Sequence, residues 1–228
     1  MTAAGGQTIG CAAVTAWMRA FAAAVARERD HLTELDAAIG DADHGINMER
    51  GMQAVLAKLD EPPAAGAGPG GAGSAGVGAL LKTVGMTLVS SVGGAAGPLY
   101  GTLFLRMATS AGEATELTLE QWATALEAGV AGAQARGKAE PDDKTMIDAL
   151  VPAVAALRAG VAAGLSLGGD TRDSLDRRRE LVDHCLRATC HVDAVIGVTD
   201  GRVELGQVLS FARHCRGEGP QPGHDGRH

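Results

Sequence analysis

The sequence predicts an all-α protein, and three observations carry that expectation. Apolar residues recur at three- and four-residue steps through most of the first 186 positions, the spacing of one buried helix face. Aromatic residues make up only 3% of a chain that is 46% hydrophobic, so the core must be built from Ala, Val, Leu and Met. The 33 glycines among 228 residues suit closely packed helices better than a sandwich of sheets. This length allows one domain with a substantial core.

Val14, Trp17, Phe21, Val25, Leu32 and Leu35 mark a first amphipathic helix over residues 8–35, with Glu28, Arg29, Asp30 and Glu34 on its solvated face. A second helix over 47–59 carries Met48, Met52, Val55, Leu56 and Leu59. Residues 62–78 are nearly all Ala, Gly and Pro and read as a flexible surface connection. Periodicity resumes from Ala79 to Ser91 until Ser91-Val-Gly-Gly-Ala-Ala-Gly-Pro98 breaks it. Leu99 to Ala111 is the next apolar helix. Thr118-Leu-Glu-Gln121 spells a capping box for a helix that runs to Arg136 and ends at Gly137. After a loop over 138–146, Asp148 to Ala163 is helical, with Pro152 near its start or kinking it. Asp170 or Thr171 can cap one more helix, reaching about Leu186.

The chain is organised around Leu35-Asp-Ala-Ala-Ile-Gly-Asp-Ala-Asp-His-Gly-Ile-Asn-Met-Glu-Arg50. On a regular helix Asp36 and Asp41 would sit about 140° apart, and Asp41 and Asp43 about 200° apart. One helix cannot converge these groups; a helix that ends near Gly40 and turns tightly can. Three carboxylates forced together repel unless a cation neutralises them. Hard oxygen donors suit Mg²⁺, which takes its remaining ligands from water and phosphates. A solvated acidic loop or an Asx-type cap is the plainer reading of three Asp alone. His44-Gly45-Ile46-Asn47 favours the metal reading, because it adds a donor and bare backbone where phosphates would lie.

Asp36, Ile39-Gly-Asp-Ala-Asp-His-Gly45 and Asn47-Met48 resemble the signature of the nucleotide-binding L subunits of dihydroxyacetone kinases. Met86-Thr-Leu-Val-Ser-Ser-Val-Gly-Gly-Ala-Ala-Gly-Pro-Leu-Tyr-Gly-Thr102 and Arg136-Gly-Lys-Ala-Glu-Pro-Asp-Asp-Lys-Thr-Met-Ile-Asp148 resemble two later motifs of that family. The resemblance covers roughly residues 8 to 165. It implies a closed antiparallel bundle or barrel of about eight amphipathic helices, with the site at one end. Asp36, Asp41 and Asp43 would hold two Mg²⁺ ions. His44, Gly45, Ile46 and Asn47 would lie against phosphate or metal-bound water, and Ala95, Ala96, Gly137 and Met146 would line ADP or ATP. Relatives often carry Ser at the position of Ala96, so one hydroxyl contact is absent here.

The implied activity is phosphoryl transfer to dihydroxyacetone held on a partner K subunit. The short chain and its Gly-Asp-Ala-Asp-His-Gly resemble the phosphotransferase-dependent type, in which an M subunit re-phosphorylates bound ADP. Such L subunits can also engage a transcription regulator, which leaves a second reading: a catalytically impaired nucleotide- or partner-binding regulator of the same fold.

From His184 onward the chain changes character. Five of seven histidines and three of the four cysteines (Cys11, Cys185, Cys190, Cys215) lie there, and no lysine follows Lys144. Val192 to Val208 reads as a hairpin around Asp200-Gly201, and Gly217 to His228 as a disordered tail. The family's Lys-Gly-Arg-Ala-Ser-Tyr-like loop and Asp-Pro-Gly-Ala-like turn are missing. The sequence therefore divides into a helical domain over 1–186 and a segment over 187–228 that is either a divergent terminus or the product of a shifted reading frame.

The remaining composition narrows the function classes. A net charge of −7 argues against direct nucleic-acid binding. The cysteine spacing gives neither a disulfide framework nor a paired zinc motif. No apolar run reaches the length of a bilayer span and no stretch resembles a signal peptide, so the expected compartment is the cytoplasm.

Overall fold

The computed structural model describes residues 8–38, 40–61, 76–143 and 145–162, and the all-α expectation holds for them. They form six helices: α1 (Cys11–Ala37), α2 (His44–Asp60), α3 (Val77–Ser91), α4 (Ala96–Ala111), α5 (Leu119–Gly137) and α6 (Ile147–Ala162). One short antiparallel pair, β1 (Ile9–Gly10) with β2 (Glu116–Leu117), joins the start of the described chain to the connection before α5.

Each helix packs on the next in sequence, and the contacts make every neighbouring pair antiparallel. Arg19 near the start of α1 pairs with Asp60 at the end of α2. Arg50 early in α2 reaches Ser91 at the end of α3. Arg158 late in α6 binds Glu120 and Glu127 in the first half of α5. The connections over 38–43, 92–95 and 138–146 therefore share one end of the array. The end of α2, the start of α3 and the connection over 112–118, with the β1–β2 pair, lie at the other.

The core is aliphatic, as the composition requires. Met18, Leu32, Met48, Leu81, Leu88 and Met107 are wholly enclosed, beside the aromatic rings of Phe21 and Phe104. Where side chains are small, backbones meet directly. A Cβ added at Gly85 would stand 3.0 Å from the carbonyl oxygen of Gly101, and one at Gly101 would stand 3.0 Å from that of Gly85. This reciprocal contact is what brings α3 and α4 close.

Several element bounds differ from the periodicity. Residues 8–10 precede α1, because Ile9 and Gly10 pair with β2. α2 begins at His44 rather than Asn47, α3 at Val77 rather than Ala79, and α4 at Ala96 rather than Leu99. The α4 start places Pro98 in the first turn, where its missing N–H has no partner to lose. Gly137 is the last residue of α5, and the left-handed cap falls on Lys138, with φ 56°. Pro152 lies inside α6. The capping box is present in full, with Thr118 Oγ1 accepting from Gln121 N–H and Gln121 Oε1 accepting from Thr118 N–H. The helix expected up to Leu186, the bound at 186/187, the hairpin and the tail lie outside the described residues. Among the described residues no helix is long and apolar enough to cross a membrane.

Candidate metal and nucleotide site

The last turn of α1 delivers Asp36, and the chain then turns through residues 38–43 into α2. Two backbone features make the turn possible. Gly40 stands over Asp36, whose carboxylate a Cβ there would strike. Ala42 takes a left-handed conformation, with φ 60°, which few residues other than glycine adopt without strain. Asp36, Asp41 and Asp43 thereby converge, each with a ligand atom within 4.8 Å of the others.

Asp36 also caps α2 from a distance. Its Oδ2 accepts from the backbone N–H groups of Asp43, at 2.9 Å, and His44, at 3.2 Å. Asp43 occupies the N-cap position, yet its own side chain makes no capping bond. The Asx-type cap is therefore absent, and the Asp43 carboxylate is left for the cluster. Among the described residues no Lys or Arg pairs with any of the three acids. Three clustered, un-neutralised carboxylates fit a hard cation such as Mg²⁺.

The first turn of α2 presses into α1. A Cβ at Gly45 would collide with the Arg29 carbonyl and the Thr33 hydroxyl, so only glycine lets the helices approach this closely. His44 is 7% exposed, and its Nε2 is enclosed without a hydrogen-bond partner among the described residues. Burial pushes its pKa below the ordinary histidine value, against the opposite pull of Asp36 and Asp43. Asn47, 6% exposed, accepts at Oδ1 from Arg50 Nη2 at 2.6 Å. Ile46 instead points outward, 49% exposed.

The α3–α4 turn reaches the same end. Gly94 has φ 61°, and α4 opens at Ala95 with no side-chain cap, leaving first-turn N–H groups of the kind that bind anions. Ala95 is exposed and Ala96 buried. A Cβ at Gly93 would stand 3.0 Å from Asn47 Nδ2, so this turn abuts the first turn of α2. Gly137 is exposed, and a Cβ on it would meet Leu99 of α4 at 3.1 Å. Met146, only 3% exposed, packs in the core. Asp148 fixes the loop before it, accepting from Asp142 N–H at 2.5 Å and Thr145 N–H at 2.9 Å.

The structure thus gathers Asp36, Asp41, Asp43, His44, Gly45 and Asn47 into one cluster against the Gly93 turn. It sets Ala95, Ala96 and Gly137 at the same end and buries Met146 beneath. Sequence reasoning gave no role to Arg50, or to Asp36 as a remote cap. Arg50 stood in the quoted stretch, but its partners come from two different helices.

A family model described as the DAK2 domain matches residues 38–201. The chain belongs to the DAK2 domain family. The match includes Asp41 and Asp43 and runs past residue 186. The ADP-binding subunit DhaL of the PEP-dependent dihydroxyacetone kinase of Escherichia coli (strain K12) is 47% identical over 140 residues. That is 61% of this chain and 62% of that protein. The triokinase/FMN cyclase of Homo sapiens is 32% identical over 196 residues, 85% of this chain and 29% of that protein. The match spans about three-fifths of the length of the DhaL relatives. A crystal structure of the dihydroxyacetone kinase from C. freundii in complex with AMP-PNP and Mg²⁺ superimposes with a TM-score of 0.55 at 22% identity, over 88% of this DAK2 chain and 36% of that one. The shared architecture is the helical fold.

Proposed function

We propose that this chain is the nucleotide-binding subunit of a dihydroxyacetone kinase, holding ADP or ATP with two Mg²⁺ ions for phosphoryl transfer. The observation that carries the reading is the un-neutralised cluster of Asp36, Asp41 and Asp43 at the start of α2, within 4.8 Å of one another. Bound Mg²⁺ supplies charge neutralisation for the phosphates and for the charge that develops during transfer. The three carboxylates would hold it, Asp36 through the oxygen left free by its capping role. His44, Gly45, Ile46 and Asn47 would meet phosphate at the α2 N-terminus, where backbone N–H groups and the helix dipole favour anions. Ala95, Ala96 and Gly137 would border the nucleotide, with Met146 forming the floor beneath.

The reading asks for no general base from this chain, because dihydroxyacetone would be held on a partner K subunit. The PEP-dependent naming of the DhaL relative supports an M subunit of phosphotransferase type as the donor that re-phosphorylates ADP, and hence a cytoplasmic complex. A regulatory, catalytically impaired protein that binds nucleotide or a transcription regulator uses the same site without transfer.

Thermal unfolding with Mg²⁺ alone, ADP alone and both tests the reading. A ligand at 100 times its Kd stabilises the folded state by about 2.7 kcal/mol. The expected result is a shift of that order that requires both ligands and disappears in Asp41→Ala. No shift from a folded protein overturns the site. A shift without phosphoryl transfer, when K and M subunits are supplied, selects the regulatory alternative.

A further inference from the structure

We propose that Arg50 is a positioning residue of this site: it fixes the Asn47 amide so that its NH₂ group faces the phosphates, and it anchors that amide to the turn that opens α4. The inference rests on the nucleotide-site reading above.

Arg50 makes two hydrogen bonds from one guanidinium. Nη2 donates to Asn47 Oδ1 at 2.6 Å, and Nε donates to the carbonyl oxygen of Ser91, the last residue of α3, at 3.2 Å. Arginine carries donors only, so the amide atom facing it must be the oxygen. That settles the rotamer of the Asn47 amide: its NH₂ group points away from the guanidinium. Among the described residues nothing accepts from this nitrogen. It is also not among the wholly enclosed unpartnered atoms, of which His44 Nε2 is the one found there. Asn47 Nδ2 is thus a donor in a nearly buried residue, 6% exposed, that keeps an opening.

The opening lies between two phosphate-binding elements. On one side is the first turn of α2, beginning at His44; on the other is Gly93, where a Cβ would stand 3.0 Å from Nδ2. A donor that keeps an opening bonds to water until a ligand supplies an acceptor in its place. An anion seated between the α2 and α4 N-termini does so. Lysine cannot replace the arrangement, because a single ammonium lacks the rigid fork that reaches Oδ1 and the Ser91 carbonyl together.

A strap that merely joins α2 to α3 would show the same two bonds, so the test separates the two roles by a double-mutant cycle on the full chain. Titration calorimetry measures Mg·ADP affinity for wild type, Arg50→Gln, Arg50→Lys, Asn47→Ala and Arg50→Gln/Asn47→Ala, with unfolding temperatures recorded alongside. A hydrogen bond to a charged group corresponds to roughly a tenfold or larger change in affinity. Positioning predicts that loss in Arg50→Gln, little recovery in Arg50→Lys, and no further loss when Arg50→Gln is added to Asn47→Ala. An equal loss in both backgrounds identifies a strap and overturns the proposal, as does wild-type affinity in Arg50→Gln. If Arg50→Gln does not fold, the Arg50→Lys and Arg50→Lys/Asn47→Ala pair completes the cycle. Wild-type protein that binds no Mg·ADP overturns the nucleotide site and this proposal with it; a wild type that binds while the cycle is additive overturns the positioning role alone.

Discussion

Replacing Asp41 with Asn separates the two consequences of crowding three carboxylates. The ligand atoms lie within 4.8 Å of one another, and two unit charges at that distance repel by about 0.9 kcal/mol in water. Asp41 is exposed, so water's dielectric applies. A Debye length of about 8 Å at physiological salt reduces each pair to about 0.5 kcal/mol. The substitution removes two of three pairs, so metal-free protein should gain about 1 kcal/mol, or about 2–4 °C in Tm for a chain of this size. The same change should remove the stabilisation that Mg²⁺ and ADP give together. Thermal unfolding by circular dichroism in EDTA, at low and high salt, reads the first effect; repeating it with both ligands reads the second. A gain that shrinks with salt and reverses sign when the ligands are added is the expected pattern. Asp41→Asn protein that is less stable than wild type in EDTA would show that Asp41 makes a stabilising contact and that the cluster is not held against repulsion.

Three further outcomes follow from the geometry. Asp36→Ala relieves the same number of repulsive pairs but leaves the N–H groups of Asp43 and His44 without their acceptor, a loss of about 1 kcal/mol that offsets the relief. Its metal-free stability should therefore lie about 1 kcal/mol below that of Asp41→Asn; a chemical denaturation series compares the two. Ala42→Gly relieves a left-handed alanine and should raise stability by roughly 0.5–1 kcal/mol after the extra flexibility of the unfolded glycine is counted, measured as a rise in denaturation midpoint. Thr118→Ala removes the capping box of α5, at the end away from the acids. It should lower stability by about 1 kcal/mol while the ligand-induced shift in Tm stays that of wild type.

What the sequence revealed and what it hid divide along a physical line. Periodicity located α1 to α6 because each buries one continuous face, and the Thr118–Gln121 box could be read locally because both its bonds close within three residues. The convergence of Asp36, Asp41 and Asp43 followed from the need for a turn near Gly40. The start of α2 was misplaced because its cap comes from Asp36, one helix back, and no local pattern records a remote acceptor. Arg50 was passed over for the same reason: its value lies in bonds to Asn47 and to Ser91 of another helix. The β1–β2 pair escaped because two residues per strand leave no alternation to read, and its partners lie more than a hundred positions apart.

Trp17 and Trp122, the only two tryptophans in the chain, meet edge-to-face with ring centroids 5.6 Å apart. They lie near the starts of α1 and α5, the end of the array remote from Asp36, Asp41 and Asp43. Intrinsic fluorescence is therefore a gauge of how the two helices hold together there, and is blind by position to nucleotide arriving at the opposite end. In a melt, emission thus follows one end of the molecule while calorimetry follows the whole of it, and midpoints that part would reveal that one end loosens before the rest.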